Sequence, residues 1–152
     1  SYIELAIKEG GTVLAGGTRE MTGFTGPQGI GAFLQPTVVG DLPPTSRCAT
    51  EEIFGPMVTL HTFSTETEAL EMVNASEYGL AGSVWTKDLE RGRSFSEQID
   101  SGIVWVNTWL HRDLRTPFGG VKNSGVGREG GQWSLDFFSE MTNVCVKNEE
   151  SV

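Results

Sequence analysis

Met57-Val58-Thr59-Leu60-His61-Thr62-Phe63-Ser64-Thr65-Glu66-Thr67-Glu68-Ala69-Leu70-Glu71-Met72-Val73, continuing through Leu80-Ala81-Gly82-Ser83-Val84-Trp85 to Ile103-Val104-Trp105-Val106-Asn107, decides the fold. Residues 57–63 read as a strand. Thr65-x-x-Glu68 is a capping box that opens a helix with an apolar face of Ala69, Leu70, Met72 and Val73. Residues 80–85 form the next strand. Asp88 can cap a second helix carrying Leu89, Phe95 and Ile99 on one side, stopped by Ser101-Gly102. Residues 103–107 are a third strand. Strands that alternate with helices of this length make a βαβαβ unit, which requires parallel neighbours and right-handed crossovers. The fold class is α/β.

Upstream, residues 2–9 place Ile3, Ala6 and Ile7 on one side and read as the tail of a helix without a cap, stopped by Gly10-Gly11. Thr12-Val13-Leu14-Ala15 is a short strand, and residues 16–31 are a glycine-rich excursion. A second strand over 32–39 pairs with the first as a β-ribbon. Downstream of Asn107 runs a long connection through Arg112, Arg115 and a glycine-rich run, then a short helix over 132–139 and a strand over 141–147. Connections this long without regular structure are usually functional or disordered.

The 152 residues, 38% of them hydrophobic and 20% charged, are ordinary globular material with a core of useful size. A net charge of −9 with no basic block repels phosphate backbones, so a nucleic-acid partner is not expected. No apolar run approaches the roughly 18 residues of a membrane span, and Ser1-Tyr2-Ile3-Glu4 lacks the basic start of a signal peptide. The two cysteines, Cys48 and Cys145, lie far apart and form no metal-ligand pattern. A reducing, cytoplasmic setting is expected, with both thiols structural because no histidine or acid pattern accompanies them.

Gly125-Val126-Gly127-Arg128-Glu129-Gly130 matches the G-x-G-x-x-G dinucleotide fingerprint. That motif works when a strand feeds it directly and further strands follow. Here the nearest expected strand ends at Asn107 and few residues follow Gly130, so the run is read as a tight backbone path into a helix. His61 reads as a solvent-facing or satisfied side chain. Arg112 and Arg115 flank Asp113 in a loop that also holds His111. Spacing alone favours a surface loop with an internal Asp113 salt bridge over a carboxylate-binding site built from guanidinium forks.

Glu51-Glu52-Ile53-Phe54-Gly55-Pro56 changes the weighing. With it stand Phe33-Leu34-Gln35-Pro36-Thr37-Val38, the stretch from Asn74 through Tyr78-Gly79-Leu80-Ala81 to Trp85-Thr86, Gly102 to Asn107, and Pro117-Phe118-Gly119-Gly120 with Ser124-Gly125 and Gly127-Arg128-Glu129. In order and spacing these blocks resemble the C-terminal part of the aldehyde dehydrogenase superfamily. The resemblance implies that residues 1–140 are the distal portion of a catalytic domain and residues 141–152 an oligomerisation strand and tail. In that family a cysteine thiolate attacks the aldehyde, a hydride passes to a nicotinamide, and a glutamate-activated water hydrolyses the thioester. By resemblance Glu52 holds the nicotinamide ribose hydroxyls, Phe54 backs that ribose, and Phe118 lines the aldehyde pocket, which Asn107 and the glycines shape. NAD is the expected acceptor, with NADP left open.

The family's nucleophile, general base, oxyanion asparagine and nucleotide-binding domain lie upstream of the segment that begins at Ser1, and neither Cys48 nor Cys145 aligns with the nucleophile. No catalytic residue is therefore assigned, and the chain alone is expected to be inactive. Residues 107–120 look most like the 2-aminomuconate and 2-hydroxymuconate semialdehyde dehydrogenases. That likeness implies a substrate site containing Trp109, Arg112, Arg115 and Phe118, with Arg112 preferred as the ligand of a substrate carboxylate. The expected partners are an aldehyde and the rest of the enzyme or other subunits, joined through the C-terminal strand. The competing reading is a short, non-catalytic relative that pairs with a full-length subunit. The missing cap at the first helix favours the former.

Overall fold

The computed structural model describes residues 1–17 and 34–147. They fold as two compact units, Ser1–Ser76 and Glu77–Val152. Most of the expected excursion over 16–31, the start of the strand expected over 32–39, and the last five residues lie outside the described residues.

In the first unit, helix α1 (Tyr2–Lys8) does have a cap. The Ser1 hydroxyl accepts from the Glu4 amide at 3.5 Å, and the Glu4 carboxylate accepts from the Ser1 amine at 2.9 Å. This reciprocal arrangement corrects the expectation of an uncapped helix, because serine followed three residues later by glutamate satisfies two otherwise orphaned donors. Ile3 and Ala6 are buried, whereas Ile7 faces outward. Gly10 follows with φ +94°, a left-handed turn that a side chain would strain.

Strand β1 (Thr12–Ala15) pairs antiparallel with β2 (Thr37–Gly40), and β2 pairs parallel with β3 (Met57–Thr59). The central strand is therefore the buried one, and Val39 packs with Ala6, Leu42 and Cys48 to make the core. Thr37 is buried too, but its hydroxyl donates to the Gln35 carbonyl at 2.8 Å and accepts from the Gly17 amide at 3.0 Å, so that hydroxyl is satisfied.

Cys48 lies on a one-turn helix, α2 (Arg47–Thr50). The signal is non-local: the Glu9 carboxylate, just past the end of α1, accepts from the Arg47 and Cys48 amides at 3.3 and 3.4 Å. An anion from another element meets the open N–H groups of α2. Helix α3 (Glu66–Asn74) is capped by Thr65, as expected, with the Glu68 carboxylate reaching Ser64 one residue upstream. Ala69 is buried, while Val73 of the expected apolar face is exposed.

In the second unit, β5 (Ala81–Val84) and β6 (Ile103–Val106) pair in parallel across helix α4 (Leu89–Ser96), with Asp88 capping the helix. This is the second of the two expected βαβ crossovers. The first is not formed as a ladder, since β3 is hydrogen-bonded into the sheet with β1 and β2. Leu89 was expected on the packed face of α4 but is exposed, and Gly92 is the buried residue there. A β-carbon at Gly92 would meet the side chains of Thr86 and Val106 at 2.9 Å, so the missing side chain is what lets helix and strand approach.

Two further differences concern the C-terminal third. Strand β4 (Tyr78–Gly79) pairs antiparallel with β7 (Val121–Lys122), inside a stretch read from sequence as connection. After helix α5 (Gly131–Phe138), residues 141–147 are exposed and form no strand. A strand requires a ladder partner, and none is offered to residues 141–147 among the described residues. Among the described residues no helix is long and apolar enough to cross a membrane.

Candidate functional site

The residues singled out from sequence fall into two groups, one in each unit. In the first unit the adjacent carboxylates Glu51 and Glu52 have opposite situations. Glu51 accepts from the Arg47 guanidinium at 2.6 and 3.0 Å and from the Tyr2 hydroxyl at 2.8 Å. These bonds, first that from Arg47 and then that from Tyr2, hold its carboxyl below the usual range, and the same bond to Glu51 raises the Tyr2 phenol. Glu52 is exposed and makes no hydrogen bond or ion pair among the described residues. Glu51 therefore anchors the segment, and the Glu52 carboxylate is left without a partner among the described residues.

The rest of the hexapeptide is pinned to the sheet. The Pro56 carbonyl accepts from the Thr37 amide at 2.8 Å, and Met57 N–H closes on the Gly55 carbonyl at 2.8 Å. Between these fixed points Phe54 takes φ +51° and stands 93% exposed. A non-glycine residue in the left-handed region is uncommon, and here it turns the ring outward. An unpaired carboxylate two residues from an outward aromatic ring fits the chemistry of a ribose diol next to a planar base.

In the second unit, β6 delivers Asn107 with φ +55°, and its amide is bonded to both backbone groups of Thr86. The chain then folds back on the buried Trp105, whose Nε1 donates to the His111 carbonyl at 2.7 Å. Trp109 packs edge-on against Trp105, with ring centroids 4.9 Å apart. Arg112 lies with its guanidinium 3.9 Å from the Phe118 ring centroid, a cation–π contact, and donates from Nη2 to the Glu129 carboxylate at 2.7 Å. Its other nitrogens make no hydrogen bond among the described residues.

Arg115 behaves differently. Its guanidinium forks onto Asp113, its backbone amide also donates to that carboxylate, and its side chain is 87% exposed. The Arg115 hydrogen bonds hold the Asp113 carboxyl below its ordinary range. The structure thus brings Arg112 and Phe118 together, sets Trp109 edge-on against Trp105, and commits Arg115 to the internal salt bridge expected of the loop.

The glycine run is a backbone path. Arg128 Nη1 donates to the Gly127 and Gly120 carbonyls at 2.6 and 2.9 Å, and the Ser134 hydroxyl accepts from the Gly130 amide at 2.8 Å. At the start of α5 the Gly130 amide is the one bonded, and no side chain caps the helix. Glu129 was missed from sequence as a partner of Arg112, because it lies inside a motif read for its glycines. Among the described residues no cluster of histidine, cysteine and acidic side chains could hold a metal ion.

The sequence pattern of the aldehyde dehydrogenase family matches residues 1–144, and the chain belongs to that family. It is 50% identical over 147 residues to a 2-aminomuconic 6-semialdehyde dehydrogenase from a Pseudomonas species, and 47% identical over 148 residues to a 2-hydroxymuconic semialdehyde dehydrogenase from Pseudomonas putida. Both alignments cover 97% of this chain, which spans 30% of the length of each relative. A Mycobacterium tuberculosis aldehyde dehydrogenase complexed with NAD+ superimposes with a TM-score of 0.81 at 42% identity, covering 91% of this chain and 28% of that one. A Staphylococcus aureus betaine aldehyde dehydrogenase in complex with NAD+ gives 0.83 at 37% identity over 90% of this chain and 26% of that one.

Proposed function

We propose that this chain is the C-terminal portion of the catalytic domain of an NAD-dependent aldehyde dehydrogenase that oxidises a dicarboxylic, muconate-type semialdehyde to the acid. The observation that carries the substrate class is Arg112, a partly covered guanidinium held by a ring and one carboxylate with an edge left over. A guanidinium edge binds a carboxylate by two parallel hydrogen bonds, which an uncharged aldehyde cannot reciprocate. The likeness to relatives named for muconic semialdehydes supports the same reading.

On this reading the residues bind and orient. Glu52 accepts from the ribose hydroxyls of the nicotinamide nucleotide and Phe54 lies against that ribose. When bound, the cofactor supplies a hydride acceptor. Arg112 fixes the far carboxylate of the substrate, Trp109 and Phe118 wall the pocket, and Asn107 sets the start of the loop that carries them. Orientation of this kind converts binding into rate by limiting the poses in which the aldehyde carbon meets its reactants. Residues 1–140 make up the catalytic portion, and residues 141–152 pair with a neighbouring subunit.

The test is made in the complete enzyme that carries this segment. Arg112→Ala should lower the ratio of kcat/KM for a carboxylate-bearing semialdehyde over that for a neutral aldehyde by roughly tenfold to a hundredfold, matching a charge-assisted contact of about 1.5–3 kcal/mol. Arg115→Ala, already bound to Asp113, should change that ratio by less than about threefold. A ratio unmoved by either change would remove the semialdehyde and leave the family assignment standing.

A further inference from the structure

The carboxylate bonded to Arg112 belongs to a residue whose position is already fixed by other means. Phe118 N–H donates to the Glu129 carbonyl and Glu129 N–H to the Phe118 carbonyl, each at 2.8 Å, so a closed antiparallel bridge joins the two backbones. That bridge holds the Phe118 and Glu129 backbones together whatever side chain residue 129 carries. The Glu129 carboxylate itself is more than half exposed, and an ion pair so exposed adds little to stability. Arg128, next in sequence, spends its guanidinium on the Gly120 and Gly127 carbonyls and leaves Glu129 to Arg112. What the carboxylate chiefly changes is charge: one positive and one negative group lie 2.7 Å apart, so the pair presents little net field to an approaching anion.

We infer that Glu129 is a specificity-setting residue that balances the charge of Arg112 and holds down the preference for anionic aldehydes, an inference that rests on Arg112 being the carboxylate ligand. The pair recognises a carboxylate by the fork geometry of the remaining guanidinium edge more than by net attraction. A substrate carboxylate docked on that edge lies within several ångströms of the Glu129 oxygens. In a partly hydrated setting, a like charge at that distance weakens binding by on the order of tenfold. A neutral aldehyde escapes this penalty. The same compensation flattens the response to salt, because screening acts on net charge.

The experiment uses the complete enzyme with adipate semialdehyde and hexanal as the charged and neutral probes, at low and high ionic strength. Glu129→Gln keeps the size and the acceptor oxygen for Arg112 while removing the charge. It should raise the adipate-semialdehyde to hexanal ratio of kcat/KM by about three- to thirtyfold at low salt, mainly through KM, and make that ratio fall steeply as salt is added. In the Arg112→Ala background the same change should give less than about a twofold gain, since the charge it balances is gone. Glu129→Asp, which keeps the charge, should stay near the parent. The unmodified enzyme should show a nearly salt-independent ratio, a reading that does not require any variant to fold. If Arg112→Ala lowers the ratio while Glu129→Gln leaves it unchanged or lowers it, charge balancing is wrong and the carboxylate reading survives. If Arg112→Ala does not lower the ratio, the carboxylate reading fails, and this inference with it.

Discussion

Asn107 closes β5 against β6 with its own side chain: its Oδ1 accepts from the Thr86 amide at 2.8 Å while its Nδ2 donates to the Thr86 carbonyl at 2.7 Å. The parallel ladder between these strands ends at Val84 and Val106, so the asparagine amide continues it as a peptide group would. It does so at φ +55°, the left-handed conformation that asparagine tolerates better than most residues. Two properties of one residue thus set the direction in which the loop toward Trp109 and Arg112 departs.

Those properties can be separated by substitution. Asn107→Gly keeps the conformation and loses both hydrogen bonds, and should cost about 1–2 kcal/mol in the urea unfolding of the protein. Asn107→Ala loses the bonds and strains the backbone, and should cost roughly 1 kcal/mol more. Equal costs would mean that the left-handed backbone contributes nothing.

The cluster of Tyr2, Arg47 and Glu51 predicts how stability responds to pH. Because the folded Glu51 carboxyl lies below its unfolded value of about 4.3, its contribution is fully present above that pH and is lost as the pH falls through the lower folded value. The Tyr2 phenol is raised, so its contribution is present below about pH 10 and is lost as the pH rises through the higher folded value. Unfolding midpoints of the parent and Glu51→Gln should therefore differ at neutral pH and converge in acid. A difference that does not shrink as the pH falls through the acid range would refute the assignment to this carboxyl.

The thiols should react at different rates. Cys48 is 3% exposed, its Sγ sits 3.5 Å from the Tyr2 carbonyl, and burial first, then the nearby Glu9 carboxylate, push its thiol upward. Cys145 is exposed. In the isolated chain under native conditions, iodoacetamide should label Cys145 at least tenfold faster than Cys48, and the gap should close in urea. Mass spectrometry of timed digests reads both sites. Rapid native labelling of Cys48 would show that the α1–α2 packing opens easily.

What sequence could reveal divides along local and non-local lines. Thr65 and Asp88 declare their helices by capping chemistry within four residues, and the apolar run at 103–106 declares a buried strand. The second βαβ crossover was therefore legible, as was the β-ribbon of β1 and β2. Helix α2 was not, because its N-terminus is met by Glu9 from another helix. Strand β7 is only two residues long and has no hydrophobic alternation to betray it. Gly92 reads as a helix breaker from propensity, yet the close approach of Thr86 and Val106 makes it the packed residue. At the candidate site, Glu52, Phe54, Trp109, Arg112, Arg115 and Phe118 were picked out by family resemblance. Spacing alone did yield the Asp113 salt bridge. The pairing of Arg112 with Glu129 spans a chain reversal and needed coordinates.

The last prediction separates the two neighbouring glutamates in the complete enzyme. Glu51 is engaged by Arg47 and Tyr2, so Glu51→Gln should act on stability. Glu52 has no protein partner among the described residues, so Glu52→Gln should leave the unfolding midpoint of the protein within about 0.5 kcal/mol of the parent. If its carboxylate holds the ribose, its loss is a positioning defect more than a binding defect. The hydride-transfer step, read by single-turnover absorbance and a substrate deuterium isotope effect, should slow by at least tenfold while dinucleotide affinity stays within about tenfold. Normal hydride transfer in Glu52→Gln would show that the exposed carboxylate is not the one that orients the cofactor. A loss of stability instead would show that it has a structural partner in the complete enzyme.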